Sequence, residues 1–254
     1  MKTPHRSLDC SACLVAAAVL VSVLAACAMP AMQHAPVPAE QYRALLGNPV
    51  RTDRDRAMDE RRHPVELLQF AQVRPGMQVL DVASGGGYTS QLLALAVGPS
   101  GKLWAQTPQP NATLNERVAA HPQANFVVVK RPFDDPVPPE AAPLDLVTLI
   151  LNYHDISYLP VDRDAMNRKL FAALKPGGRY VVVDHSARQG TGITAGKTLH
   201  RIEEAFVVAE VRRAGFVLDG EGAFMRNPAD TRDESSNQAK PPSDKFVLRF
   251  VKPR

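Results

Sequence analysis

Two histidine–aspartate pairs carry the clearest chemistry in this sequence, His154-Asp155 and Asp184-His185. An imidazole beside a carboxylate can take a proton from a substrate nucleophile, because the carboxylate orients the ring and stabilises the cation that forms. Read that way, His154, Asp155 and His185 are the catalytic candidates. Histidines at these places can equally bind a divalent metal, and the donor set is then His63, His154, His185 and His200. The residues alone leave general base and metal ligand both open. Upstream, Asp81 is followed by Val82-Ala83-Ser84-Gly85-Gly86-Gly87-Tyr88. Small residues behind an acid let the backbone approach a ligand closely, and the N–H groups of a helix that follows can face it.

These groups need a scaffold, and the hydrophobic pattern supplies one. From residue 78 onward short β-branched runs alternate with amphipathic stretches, the pattern of a parallel α/β sheet. Strands are expected at 78–82, 102–106, 125–129, 146–151, 180–183, 216–219 and 245–251. Helices at 90–97, 112–120 and 162–174 lie between the first five strands, and a longer one at about 199–214 precedes the sixth. Residues 130–143 are proline-rich and read as an irregular connection. No helical period runs through 221–244, so the last two strands are free to pair antiparallel at the edge. Residues 51–72 are charged and helical, with Pro64 placed to begin a second helix, and the alternating charges of 51–62 read as a solvated face. In an open parallel sheet the ligand crevice lies outside the carboxyl ends of the strands. His154 and His185 follow the fourth and fifth strands, so both pairs are expected to face one pocket, with His200 joining from the next helix.

The run Asp81-Val82-Ala83-Ser84-Gly85-Gly86-Gly87 resembles motif I of the S-adenosylmethionine-dependent methyltransferases, with Ala83 in place of the first glycine. Leu174-Lys175-Pro176-Gly177-Gly178 is similar to the turn that leads into the fifth strand of that superfamily. A bacterial branch of predicted methyltransferases is more similar still, through Arg62-His63-Pro64, Tyr153-His154-Asp155, Asp184-His185-Ser186-Ala187, Leu199-His200-Arg201-Ile202 and Phe246-Val247-Leu248-Arg249-Phe250. The resemblance implies an α/β, Rossmann-like class I methyltransferase fold, a mostly parallel seven-stranded sheet with an antiparallel last strand. It implies S-adenosyl-L-methionine as cofactor, held by Asp81, Ala83, Ser84, Gly85, Gly87 and Tyr88, and methyl transfer to a small-molecule acceptor. Gln106 stands at the end of the second strand, where most of these enzymes carry an acid for both ribose hydroxyls. An amide offers one acceptor oxygen and a donor, enough for a weaker ribose contact. By the same resemblance Asp134 meets the adenine amino group and Asn152 lies near the methyl-transfer end.

The composition sets the frame around these sites. The chain has 254 residues, 45% hydrophobic and 22% charged, which is enough to bury a core and too apolar for a disordered protein. Lys+Arg at 30 against Asp+Glu at 26 leaves a net charge of +4 with no aromatic-rich basic stretch, so no nucleic-acid partner is expected. All three cysteines fall at Cys10, Cys13 and Cys27. Lys2 and Arg6 precede an apolar run at 12–24, too short to span a bilayer as a helix and suited to an export leader. Its ending, Leu24-Ala25-Ala26-Cys27, resembles the bacterial lipobox. The expected organisation is a signal peptide at 1–26, an acylated Cys27 with a Pro-rich tether to 40, and a single methyltransferase-like domain at 41–254. That places the protein in the cell envelope on the periplasmic side, anchored to the lipid bilayer through Cys27, with the outer membrane preferred. A second function fits the same address: an exported non-catalytic or metal-binding lipoprotein that re-uses the fold.

Overall fold

The computed structural model describes Met1 and residues 35–254; the expected leader, Cys27 and the start of the tether lie outside the described residues. Three helices precede the sheet: α1 (Ala39–Leu46), α2 (Asp53–Arg62) and α3 (Pro64–Ala71). Helix α1 begins inside the stretch expected to be tether. Thr52 opens α2 with a capping box, its Oγ1 accepting the Asp55 N–H at 3.2 Å while the Asp55 carboxylate accepts the Thr52 N–H at 2.9 Å. His63 then takes a left-handed φ of 45°, and Pro64 starts α3 in a new direction. No helix among the described residues is long and apolar enough to cross a membrane.

The rest of the chain alternates strand and helix. In order come β1 (Gln78–Val82), α4 (Tyr88–Val97), β2 (Lys102–Thr107), α5 (Ala112–Ala120), β3 (Phe126–Lys130), β4 (Leu144–Ile150), α6 (Tyr153–Ser157) and α7 (Arg163–Ala173). β5 (Leu174–His185), α8 (Gly196–Leu199), α9 (Glu204–Arg213), β6 (Val217–Gly222) and β7 (Lys245–Val251) complete it. The sheet order is β3-β2-β1-β4-β5-β7-β6. The first five strands are parallel, and β7 enters between β5 and β6, antiparallel to both. This is the sheet the sequence pattern led us to expect.

Side chains alternate between the two faces of each strand, so the central strands feed two cores. Leu80, Val147, Tyr180 and Phe250 pack on one side, and Val79, Leu146, Val181 and Val247 on the other. Because β2 and β4 flank β1, the chain winds outward in opposite directions from this point, and a crevice opens at the carboxyl ends of β1 and β4.

Two local expectations differ from the structure. The helix expected at about 199–214 is broken into α8 and α9, because His200 is left-handed at φ 50° and Ile202 bridges to Ser186. The short helix α6 went unread, since five residues are too few to show a period.

Candidate active site

Beyond Val82 the backbone is left-handed at Ala83 (φ 56°), Gly85 (φ 54°) and Gly87 (φ 81°). Gly87 admits no side chain: a Cβ there would lie 2.7 Å from Leu114 Cδ1. The loop is pinned from below. The Ala83 N–H donates to Gln106 Oε1 at 2.9 Å, the Ser84 N–H to the Gln106 carbonyl at 3.0 Å, and Ser84 Oγ to the Asp81 carbonyl at 2.8 Å. Asp81 is buried and accepts Ser90 Oγ at 2.5 Å and Thr148 Oγ1 at 2.6 Å. Burial outweighs these two hydrogen bonds and pushes its carboxyl up to about 6.

Above the loop lies a cavity of about 460 Å³, a size usual for small-molecule sites. Asp81, Ala83, Ser84, Gly85, Gly86, Tyr88 and Asn152 form one wall, and Arg54, Asp55 and Arg62 of α2 form another. Arg117 of α5 joins the two. It donates to both Asp55 oxygens at 2.7 and 2.8 Å and, through Nε, to the Gly86 carbonyl at 2.9 Å. Tyr88 packs under the guanidinium groups of Arg51 and Arg62 and donates its hydroxyl to Asp59 at 2.7 Å. The charges of 51–62 are therefore not simply a solvated face. Asp55 is buried, and α2 roofs the cavity. Sequence reasoning missed both Asp55 and Arg117. A charged residue on a polar helix carries no local sign of a partner on another element.

Gln106 is placed differently from its expected role. It is fully buried, its Oε1 taken by the Ala83 N–H and its Nε2 donating to the Arg131 carbonyl at 2.6 Å. Both ends of the amide are engaged by backbone, so Gln106 braces the loop and has no free atom for a ribose. Asp134 is exposed and does not line the cavity. Asn152 does line it, and its Nδ2 donates to the Ala83 and Ile150 carbonyls at 3.2 and 3.0 Å.

The histidines form a cluster, but not around one pocket. Asp184, at the end of β5, accepts His154 Nδ1 at 2.6 Å and the His154 N–H at 2.8 Å. His154 Nε2 lies 3.3 Å from Asp155 Oδ1, which is itself 3.4 Å from His200 Nδ1. Burial works against a charged His154, yet the hydrogen bonds and charges of Asp155 and Asp184 prevail and push it up to about 9. Burial would likewise raise Asp155, but His154, Tyr158 and His200 hold it at about 2. The two acids flanking the ring therefore favour its protonated form, which has no lone pair for a general base.

His185 points elsewhere. Its Nδ1 pairs with Ser243 Oγ at 2.8 Å, and its ring lies 5.8 Å from that of His154. Burial, then the charges of Lys245, His154, Arg201 and Arg62, push it down to about 2, so it stays neutral. It lines a second cavity, of about 220 Å³, together with Arg61, Arg62, Leu151 and Lys245. The two cavities share Arg62 and Leu151, and His154 lines neither.

As metal donors, His154, Asp155 and His200 come together, with ligand atoms all within 4.8 Å of one another. Separations of 3.3 and 3.4 Å suit ligands held about 2.0–2.2 Å from a shared ion, and Asp184 would orient His154 from behind. The four-histidine set does not assemble: His63 packs edge-on to Phe224 at 6.2 Å, and His185 is turned to Ser243.

No family model matches the chain. A SAM-dependent methyltransferase of Aquifex aeolicus superposes with a TM-score of 0.57, covering 85% of this chain and 99% of that one at 18% identity. The chain has the class I methyltransferase fold. The arsenic(III) S-adenosylmethionine methyltransferase of Chlamydomonas reinhardtii shares it, with a TM-score of 0.54 over 87% of this chain and 75% of that one at 16% identity. Among curated proteins, the ubiquinone/menaquinone biosynthesis C-methyltransferase of Burkholderia orbicola is 29% identical over 122 residues, covering 46% of each chain. The chain thus spans about half the length of the curated relatives it matches. In this class I fold the 460 Å³ cavity occupies the crevice at the switch between β1 and β4.

Proposed function

We propose that the protein is an S-adenosylmethionine-dependent methyltransferase acting on a small-molecule acceptor. One observation carries this reading: the cavity over the left-handed loop at residues 83–87 adjoins a second, smaller cavity across Arg62 and Leu151. In-line transfer needs the acceptor atom to reach the methyl group directly, so the two sites must lie side by side and open to each other. The shared lining by Arg62 and Leu151 puts these cavities side by side. The residues fit the cofactor. Asp81 puts an acid at the strand end; its oxygens already accept Ser90 and Thr148, yet unlike Gln106 it still borders the cavity. Ser84, Gly85 and Gly86 allow close backbone approach, and Tyr88 and Asn152 close the walls. S-adenosylmethionine, when bound, supplies a methyl group already activated by its sulfonium.

The chain's own part is alignment and exclusion of water. Arg117 ties α2 to the loop through Asp55 and Gly86, so the roof and floor of the larger cavity are linked by one side chain. His185 is uncharged and lines the smaller cavity. In the tautomer whose Nδ1–H donates to Ser243 Oγ, its Nε2 can accept a hydrogen bond from the O–H or N–H of an acceptor, which orients that group and does not deprotonate it. His154 supports it indirectly by fixing Asp184 at the end of β5.

Thermal unfolding with added ligand tests the cofactor class. S-adenosylhomocysteine should raise the unfolding midpoint, with about 2.7 kcal/mol of stabilisation at a hundredfold excess over its dissociation constant. A dinucleotide such as NAD should not. Stabilisation by NAD alone would overturn the reading. The envelope address is part of the same proposal: Cys27→Ala should move the protein from the membrane fraction to the soluble one.

A further inference from the structure

The smaller cavity carries an unbalanced charge. Arg61, Arg62 and Lys245 line it with neutral His185, Ser243 and Leu151, and no carboxylate does. Five other buried or partly buried arginines are paired: Arg51 with Asp59, Arg117 with Asp55, Arg163 with Glu210, Arg201 with Asp230 and Arg226 with Glu204. Partly buried Arg179 is single, but among the described residues no other cavity wall gathers three unpaired cations. Among the described residues none of Arg61, Arg62 and Lys245 has an ion-pair partner; Lys245 Nζ reaches only the Ser243 carbonyl, at 3.1 Å. Lys245 is held below its usual range by burial first and by Arg62 and Arg61 next, and the opposing pull of Asp244, itself paired with Arg232, does not offset them. Two partly buried cations with a third at the rim repel one another, which costs stability unless an anion completes the group.

We propose that the acceptor is a small anion, a molecule bearing a carboxylate or phosphate group, held in this cavity by Lys245 and Arg61. This rests on the methyltransferase reading for the word acceptor, though not for the anion site itself. A volume of about 220 Å³ holds about seven waters, so the bound portion is compact. Its anionic end faces Lys245 and the exposed Arg61 at the rim, and its remaining part is directed to the wall shared with the cofactor cavity at Arg62 and Leu151. Arg62 borders the cofactor cavity as well, so the decisive residue is Lys245, which does not. Lys245 and Arg61 also border a neighbouring cavity of about 520 Å³, where Glu60 disfavours an anion.

The experiment compares benzoate, inorganic phosphate and the uncharged isostere benzamide by ligand-observed NMR titration of the full chain, with and without S-adenosylhomocysteine. Benzoate or phosphate should bind at least tenfold more tightly than benzamide. Lys245→Met should weaken the bound anion at least tenfold while S-adenosylhomocysteine affinity stays within twofold. Arg61→Gln, at an exposed position, should weaken the anion about threefold and guards against a Lys245→Met protein that does not fold. Preference for phosphate over benzoate, or the reverse, names the anionic group and supports the proposal either way. Equal binding of benzamide, or anion binding untouched by both variants, overturns it. So does a Lys245→Met protein that loses S-adenosylhomocysteine as severely as the anion, because the cations would then serve the cofactor. Anion binding without any S-adenosylhomocysteine binding would instead remove the methyltransferase reading and leave the anion site standing.

Discussion

Asp184 holds His154 twice, with one oxygen 2.6 Å from the ring Nδ1 and the other 2.8 Å from the backbone N–H. A single carboxylate at the end of β5 thereby sets both the first turn of α6 and the orientation of its buried ring. The ring's other nitrogen turns to Asp155, so His154 lies between two acids.

This arrangement predicts a pH dependence of stability. His154 rises from 6.5 to about 9 in the folded protein, so its contribution is complete below pH 6.5 and is lost as pH rises through about 9. Asp155 falls from 3.8 to about 2, so its contribution is complete above pH 3.8 and is lost as pH falls through about 2. The pair therefore stabilises most between pH 3.8 and 6.5. Unfolding midpoints measured from pH 6 to 10 should decline in the natural protein and decline less in His154→Gln. An unchanged decline in that variant would refute the assignment.

Arg117→Ala should destabilise the protein by about 3–5 kcal/mol, because it strands the buried Asp55 carboxylate. A double variant, Asp55→Leu with Arg117→Met, should recover much of that loss, since no buried charge is left alone. Urea unfolding of the three proteins measures both effects. Cofactor affinity should fall in each variant, for each loses the tie from Arg117 to Gly86.

Gln106→Glu introduces the acid that most class I methyltransferases carry at this position, and it should harm this protein. A carboxylate can still accept the Ala83 N–H, but it meets the Arg131 carbonyl oxygen where an amide donor stood. The expected cost is about 3 kcal/mol of stability, with no gain in cofactor affinity. Chemical denaturation and a binding titration check the two halves separately.

What could be read in the sequence divides along the distance over which residues act. β1, α5 and β7 were legible to the residue, because alternation and helical period are local patterns. The loop from Asp81 to Tyr88 was legible because its small residues are contiguous. Gln106 was misread because its partners, Ala83 and Arg131, are 23 and 25 residues away and use only backbone atoms. Asp55 and Arg117 are 62 residues apart, and only the fold brings them together over the cavity. The two histidine–aspartate pairs were found, but not that His154 and His185 face different ways, since this depends on Ser243 from the loop before β7.

The central claim is that the cavity over the loop at residues 83–87 holds S-adenosylmethionine, and calorimetric titration tests it directly. Gly86 lines that cavity, and a Cβ added there meets only the Thr113 side chain, at 3.2 Å, so Gly86→Leu fills the cavity at modest structural cost. S-adenosylmethionine should bind the natural protein at one site and bind Gly86→Leu at least a hundredfold more weakly, with the unfolding midpoint little changed. No binding to the natural protein, or equal affinity in the variant, would contradict the account.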